Sequence, residues 1–465
     1  MKPNTTHEEY DEHYPEWEVM EDVLEGEDKV HKEGQTYLPK LTGQTIDEYN
    51  AYVMRAPFYN ATARTVDGLV GMIFRKAPTI SAPAGMQNIV DDMTLDNTGL
   101  DELAEQITRE LVGIGRMGIL VEYPKVEQTP ATLAEFAQQN LRPYVTKYEA
   151  EQIINWRMER INNVMQPVMI ALKEEILEYV NEFESEEIEQ IRVLLLREGV
   201  YMQEVYREIK NQRGDKEWVV VETIVPTMRG QTINAIPFIC MNARGVYMSP
   251  DKPPMYDLAT LNLSHYRTTA DLEHGAHFTG LPTAVVSGYT KENENDVFRI
   301  GSSSAWIFPD PSANAKYLEF TGQGLDTLRN IKKDKEDNLA ILGARMLAPE
   351  KKQSEAADTV RMRHAGDGAI LSAITNAVSQ GLNKALQIIA DWEGTEPATI
   401  SLNEDYLDSP LNAQDLQALV QAWQQGAISD QTLFYNLKVG EIMDEYVTFD
   451  EEQSRIANQP PRLSA

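Results

Sequence analysis

The sequence predicts a mixed α+β fold, and three observations carry that prediction. Apolar residues recur at three- and four-residue spacing from Gln44 to Phe74 and again beyond Pro254, the period of amphipathic helices. Between them, residues 165–240 are rich in β-branched and aromatic residues separated by turn-prone stretches, the pattern of antiparallel strands. At 465 residues the chain also exceeds one typical core, so several domain-like units are expected.

Taken in order, residues 1–44 carry dense acid and few periodic hydrophobics, and are expected to form a loosely ordered acidic arm. Ile46, Tyr49 and Val53, then Val66, Leu69, Val70 and Ile73, mark two helices broken at Pro57. Residues 100–112 form a third helix, and ILVEY (119–123) reads as a strand. The 165–240 region is an antiparallel meander, with the acidic run Glu174–Glu189 expected as a solvated insertion. After Pro253-Pro254 one proline-free helix is expected to residue 278, about 35 Å long. Short strands and turns fill 279–324. A helix then spans 325–346, with Leu328, Ile331, Leu339, Leu342 and Met346 on one face. The stretch 347–355 interrupts helical structure. A long helix over 356–392 follows, with an expected kink at Gly366-Asp367-Gly368. Its stripe is Ile374, Val378, Leu382, Ala385, Ile389 and Trp392. The tail, 393–465, adds at least two helices, one capped by Ser429.

The formal net charge of −31, from 73 acidic and 42 basic residues, is the opposite of what a sequence-reading DNA binder shows. Two readings remain: acid spread over solvated faces for solubility, or a protein that touches DNA without gripping it. No apolar run is long enough to span a membrane, and the N-terminal stretch lacks the apolar core of a signal peptide. The single cysteine, Cys240, excludes an internal disulfide and fits a reducing cytoplasm.

Several motifs are suggestive in sequence but wrong in context. Gly113-Ile-Gly115-Arg-Met-Gly118 matches GxGxxG, but a dinucleotide fingerprint needs strand, glycines, then helix, and here the order is reversed. His265, His274 and His277 share one predicted helix with Glu273. His274 and His277 are spaced as a metal edge, while His265 lies off their face and no third ligand is evident. Packing explains them better. Arg213-Gly214-Asp215 falls in a predicted hairpin turn. No GxSxG, phosphate-loop or zincin motif is present, so no catalytic residue, cofactor or metal is expected.

Five stretches taken together resemble the portal proteins of tailed bacteriophages. They are MRAPFYNATARTVDGLVGMIFRKAP (54–78), GIGRMGILVEYP (113–124), INAIPFICMN (233–242), YDLATLNLSHYRTTADLEHGAHFTGLPTAVVSG (256–288) and LAILGARMLAPEKKQSEAADTVRMR (339–363). They occur in the family's order, and the similarity covers roughly 45–455. The resemblance implies a mixed α/β wing at 45–252, a first stem helix at 253–278, a small β-containing clip at 279–324 and a second stem helix at 325–346. It further implies a channel loop at 347–355, a long kinked helix at 356–392 and a helical crown at 393–465, assembled as a dodecameric ring. The acidic arm has no counterpart in it.

By the same resemblance, the expected partners are double-stranded DNA without sequence specificity, the terminase large subunit, head-tail adaptor and tail proteins, and the major capsid protein with or without scaffold. The expected locations are the virion's portal vertex and, during assembly, the host cytoplasm, with no membrane partner. Lys332, Lys333 and Lys335 on the second stem helix, and Lys351 and Lys352 in the channel loop, are the candidate DNA contacts against an otherwise acidic wall. Two other classes compete with this reading. One is a metal-dependent hydrolase using His274 and His277, and the other is a non-viral cytosolic scaffold.

Overall fold

The computed structural model describes residues 2–124, 141–210, 215–280, 283–287, 312, 314–318, 323–343, 357–404, 406, 413–440, 442–443 and 447–458. The chain divides into two units, Met1–Glu404 and Asp405–Ala465. The architecture is α+β, as the residue patterns predict.

The first unit opens with helices α1 (Glu8–Glu25) and α2 (Glu27–Glu33), which corrects the expected loosely ordered arm. Acid dominates this segment by count and hides a broad apolar side made by Tyr10, Trp17, Met20 and Val23, all buried. Glu8, Glu9 and Asp11 occupy the first turn, where the exposed N–H groups and helix dipole favour negative charge. The His7 side chain caps the helix by accepting from the Glu9 N–H.

Next come α3 (Ile46–Met54), started by a Thr45/Glu48 capping box, and α4 (Ala61–Ile73), capped by Asn60. The break falls around Pro57, as expected. Strand β1 (Thr79–Ser81) and the short helix α5 (Gln87–Val90) lead to α6 (Leu100–Gly113), which runs directly into β2 (Arg116–Glu122). Gly115, at φ +91°, makes that turn, and a Cβ there would also press on Pro253 and Pro254. The GxGxxG stretch is therefore a helix exit feeding a strand.

Strand β3 (Tyr144–Glu149) pairs with β2. Strands β4 (Ile153–Ile161), β5 (Val164–Tyr179), β6 (Ser185–Arg197), β7 (Val200–Lys210) and β8 (Lys216–Ile224) form one antiparallel sheet in sequence order. The positive φ angles of Asn162-Asn163 and Glu198-Gly199 fit two-residue hairpin turns, whose twist matches that of the strands. The meander is thus real but lies at 153–224. The run Glu174–Glu189 is not an insertion: it extends β5 and β6 and closes their turn. A small hairpin, β9 (Thr227–Met228) with β10 (Gln231–Thr232), follows. Strand β11 (Phe238–Asn242) leaves the meander and joins β2 and β3, giving the order β11-β2-β3.

Helix α7 (Tyr256–Gly280), strands β12 (Thr283–Ser287) and β13 (Asn314–Leu318), and helix α8 (Gln323–Leu342) come next. The long helix α9 (Ala357–Glu393) is continuous in its helical assignment through Gly366-Asp367-Gly368. Ile374, Val378, Leu382, Ala385, Ile389 and Trp392 are all buried within the chain, where α9 packs on α6, β2 and β11. Strand β14 (Thr399–Ser401) closes the unit by pairing with β1.

The second unit holds α10 (Ala413–Gln424), α11 (Asp430–Val439) and α12 (Phe449–Ala457). Ser429 caps α11 as expected, Thr448 and Glu451 form a capping box on α12, and Phe434 meets Phe449 edge-on at 5.5 Å.

Candidate functional site

The element that organises the expected site is the pair α7–α8. The two helices run antiparallel, since Leu258 meets Gly343, His265 meets Glu336 and Gly275 meets Leu325. A Cβ on Gly275 would sit 2.7 Å from Leu325 Cδ2, so a side chain there would require Leu325 to shift. Strands β12 and β13 prolong the pair from the end of α7 to the start of α8, with Thr283 opposite Leu318 and Ser287 opposite Asn314. A helix enters, a strand pair extends it, and a helix returns.

This stalk is fixed to the rest of the first unit by residues that periodicity did not single out. Asn262 of α7 caps α4: its Oδ1 accepts from the N–H of Ala61 at 2.9 Å and of Thr62 at 3.1 Å, while its Nδ2 donates to the Tyr59 carbonyl at 2.9 Å. Tyr52 donates to Asp271 Oδ1 at 2.6 Å. Tyr266, fully buried, packs on Phe58 and His31. All of these contacts join positions far apart in sequence.

The five lysines expected to face DNA divide. Lys335 turns onto α7, donating to the Ser264 carbonyl at 2.9 Å and to Thr268 Oγ1 at 2.6 Å. Burial, then the nearby Arg267, lowers its pKa. Lys332 pairs with Glu336 one turn along, at 3.2 Å. Lys333 is exposed. Lys351 and Lys352, with the rest of 347–355, lie outside the described residues. Helix α8 carries four basic and four acidic residues, so it is locally neutral in a chain of net charge −31.

The histidines build no ligand cluster among the described residues, although His274 and His277 lie near enough to interact. His265 is buried, its Nε2 3.4 Å from Glu336 Oε1. Burial lowers its pKa despite that carboxylate, which favours the neutral ring. Burial pushes Glu336 upward, but Lys332 and His265 outweigh it and hold the carboxyl below its usual range. His274 packs edge-on against Tyr52 at 4.8 Å, and its Nδ1 lies 3.4 Å from Arg55 Nη2. Burial and then that guanidinium lower its pKa, and a guanidinium so placed also repels a divalent cation. Among the described residues no group of three or more His, Cys, Asp or Glu is arranged to hold a metal. Cys240 is buried in β11. Arg213 and Gly214 lie outside the described residues.

The outer side of α8 is apolar in part: Ile331, Ile341 and Leu342 are exposed, the last two by 62% and 52%. The stripe expected on this helix is therefore only partly covered within the chain, in contrast to that of α9. Among the described residues no helix is long and apolar enough to cross a membrane.

A family model described as "Domain of unknown function (DUF4055)" matches residues 254–393, which span the stalk and α9. No curated protein matches the chain. Among solved structures, the chain is similar to one described as "Virion of native gene transfer agent (GTA) particle", at 8% identity and a TM-score of 0.38, covering 93% of this chain and 99% of that one. It is also similar to "Neck of empty GTA particle computed with C6 symmetry", at 9% identity and a TM-score of 0.37, covering 88% and 93%.

Proposed function

We propose that this chain is the subunit of a portal: a closed ring of twelve copies at one capsid vertex, through which double-stranded DNA is packaged and ejected. The observation that carries the reading is the antiparallel pair α7–α8, prolonged by β12–β13 and followed by the long helix α9. This is the order of stem, clip, stem and long helix that the sequence resemblance implies. The half-covered face of α8, with Ile331, Ile341 and Leu342, is where a neighbouring copy would pack.

In such a ring the strand pair and its connecting residues form the clip, on which the terminase large subunit and then head-tail adaptor proteins dock. The wing, 45–252, faces the capsid protein. Twelve copies carry a formal charge of roughly −370, which disfavours tight phosphate binding, and the balanced charge of α8 offers DNA few binding minima as it slides. Cations near the narrow part restrain the DNA against slippage. Lys333, Lys351 and Lys352 take that role here, since Lys335 is spent on α7 and Lys332 on Glu336. The protein is structural, and the energy for packaging comes from the docked ATPase.

Negative-stain electron microscopy of the purified chain tests this reading. Rings with a central hole wide enough for duplex DNA support it, and a population of single subunits refutes it.

A further inference from the structure

Strand β5 pairs with β4 only as far as Leu172, and β6 pairs with β7 only from Gln190. Yet β5 and β6 stay paired with each other out to Tyr179 and Ser185. The sheet therefore ends in a two-stranded ribbon whose edges pair with no other strand among the described residues. Residues 174–189 of this ribbon hold eight glutamates and no lysine or arginine. Its register sets Glu175 opposite Glu189 and Glu178 opposite Glu186, and like charges directly opposed disfavour pairing. Cations occur only at its base, where Arg192 bonds Glu174 at 2.6 Å and Lys173 reaches Glu189 at 3.1 Å.

The tip is apolar. Phe183 is 93% exposed and Tyr179 76%, with Val180 and Leu177 also exposed. Asn181 braces the turn that presents Phe183, its Oδ1 accepting from the N–H of Phe183 at 2.9 Å and of Glu184 at 3.1 Å. An exposed aromatic held out by a short ribbon and surrounded by carboxylates has the make-up of an interface anchor.

The sign of the charge selects the occupant. Duplex DNA and anionic lipid carry the same sign and are repelled. A second copy brings a net charge of −31 and the same acidic ribbon. We propose that the ribbon Lys173–Ile191 is a docking arm for a different protein, one offering an apolar pocket for Phe183 within a rim of lysine or arginine. This holds whatever the oligomeric state of the chain, so it does not depend on the portal reading.

The test measures binding of two fluorescent peptides to the full chain: an amphipathic lysine–leucine peptide and a lysine–serine peptide of equal charge. The expected result is that Phe183→Ser with Tyr179→Ser weakens the lysine–leucine peptide about 10-fold or more and leaves the lysine–serine peptide unchanged. Glu178→Gln with Glu186→Gln and Glu187→Gln should weaken the lysine–leucine peptide at low salt, and the difference should shrink as salt is raised. Neutralising Glu102 and Glu105 on α6 should do much less. Glu102 and Glu105 are both exposed, and circular dichroism checks that each variant folds. Equal binding by the Phe183 variant and the parent overturns the proposal, as does an equal effect from Glu102→Gln with Glu105→Gln. Loss of self-association in the Phe183 variant overturns it in favour of a second copy, and binding of the tip to anionic vesicles overturns it in favour of lipid.

Discussion

The Asn262 Oδ1 on α7 accepts a hydrogen bond from the Ala61 N–H at the start of α4, tying the stalk to a helix two hundred residues earlier in the chain. The same side chain serves Thr62 and the Tyr59 carbonyl. Asn262→Ala leaves three buried donors (the Ala61 and Thr62 N–H groups and the Thr62 hydroxyl) and one acceptor without this partner, and should cost about 2–3 kcal/mol in urea unfolding. Asn262→Asp keeps the acceptor at a helix N-terminus and should cost less.

The N-terminal segment makes a second, larger contribution. Arg116 is fully buried between Trp17 of α1 and Trp156 of β4, its guanidinium carbon 5.6 and 4.5 Å from their ring centroids, and it donates to the Met248 carbonyl at 2.9 Å. Trp17→Ala opens a cavity and removes one face of that sandwich, and should lose about 3–5 kcal/mol by the same measurement. A loss below about 0.5 kcal/mol, the range of a surface substitution, would mean that the segment is the loose arm its composition suggests.

A carboxylate cluster where α1, the end of α6 and the residues after β3 meet makes stability depend on pH. Burial, then Glu149, Glu21 and Glu151, push Glu110 up to about 8, with Lys147 opposing. Burial, then Glu151, Glu149, Glu25 and Asp22, push Glu21 up to about 7. The folded state therefore holds protons that the unfolded chain has released, and the contribution of these groups falls as pH rises from about 4.5 towards 8. Glu110→Gln should match the parent in melting temperature at pH 5 and exceed it by about 2–4 °C at pH 8. Identical melting curves for the two proteins at both pH values would falsify this account of Glu110.

Much of the fold is legible in the sequence, for local reasons. The break between α3 and α4 follows from Pro57, the helix-to-strand passage after α6 from its glycines, and the stripe of α9 from a clean helical period. Composition misled where two signals overlapped. The acid of α1 masks Tyr10, Trp17, Met20 and Val23, and the glutamates of β5 and β6 mask strand alternation. Long-range partners were not legible at all: nothing local to Asn262 announces Ala61, and nothing local to Lys335 announces Ser264 and Thr268. The apparent site was thinned for this reason, because two of the expected lysines already have partners within the chain.

If Lys351 and Lys352 restrain DNA in the channel, twelve copies place about 24 positive charges around it, each contact weak and screened by salt. Lys351→Glu with Lys352→Glu should leave ring assembly intact and lower the DNA content of filled particles. Equal DNA content in mutant and parent particles would make these lysines ordinary solvated side chains.

The central claim is the ring. Ile341 and Leu342 on α8 are exposed in the isolated chain, and a closed ring, if it forms, would cover them. Mass measurement of the purified chain across several salt concentrations, combined with electron microscopy of the same sample, tests this directly. The account predicts closed rings of about twelve subunits with an axial hole. A stable monomer at micromolar concentration under all those conditions would contradict it.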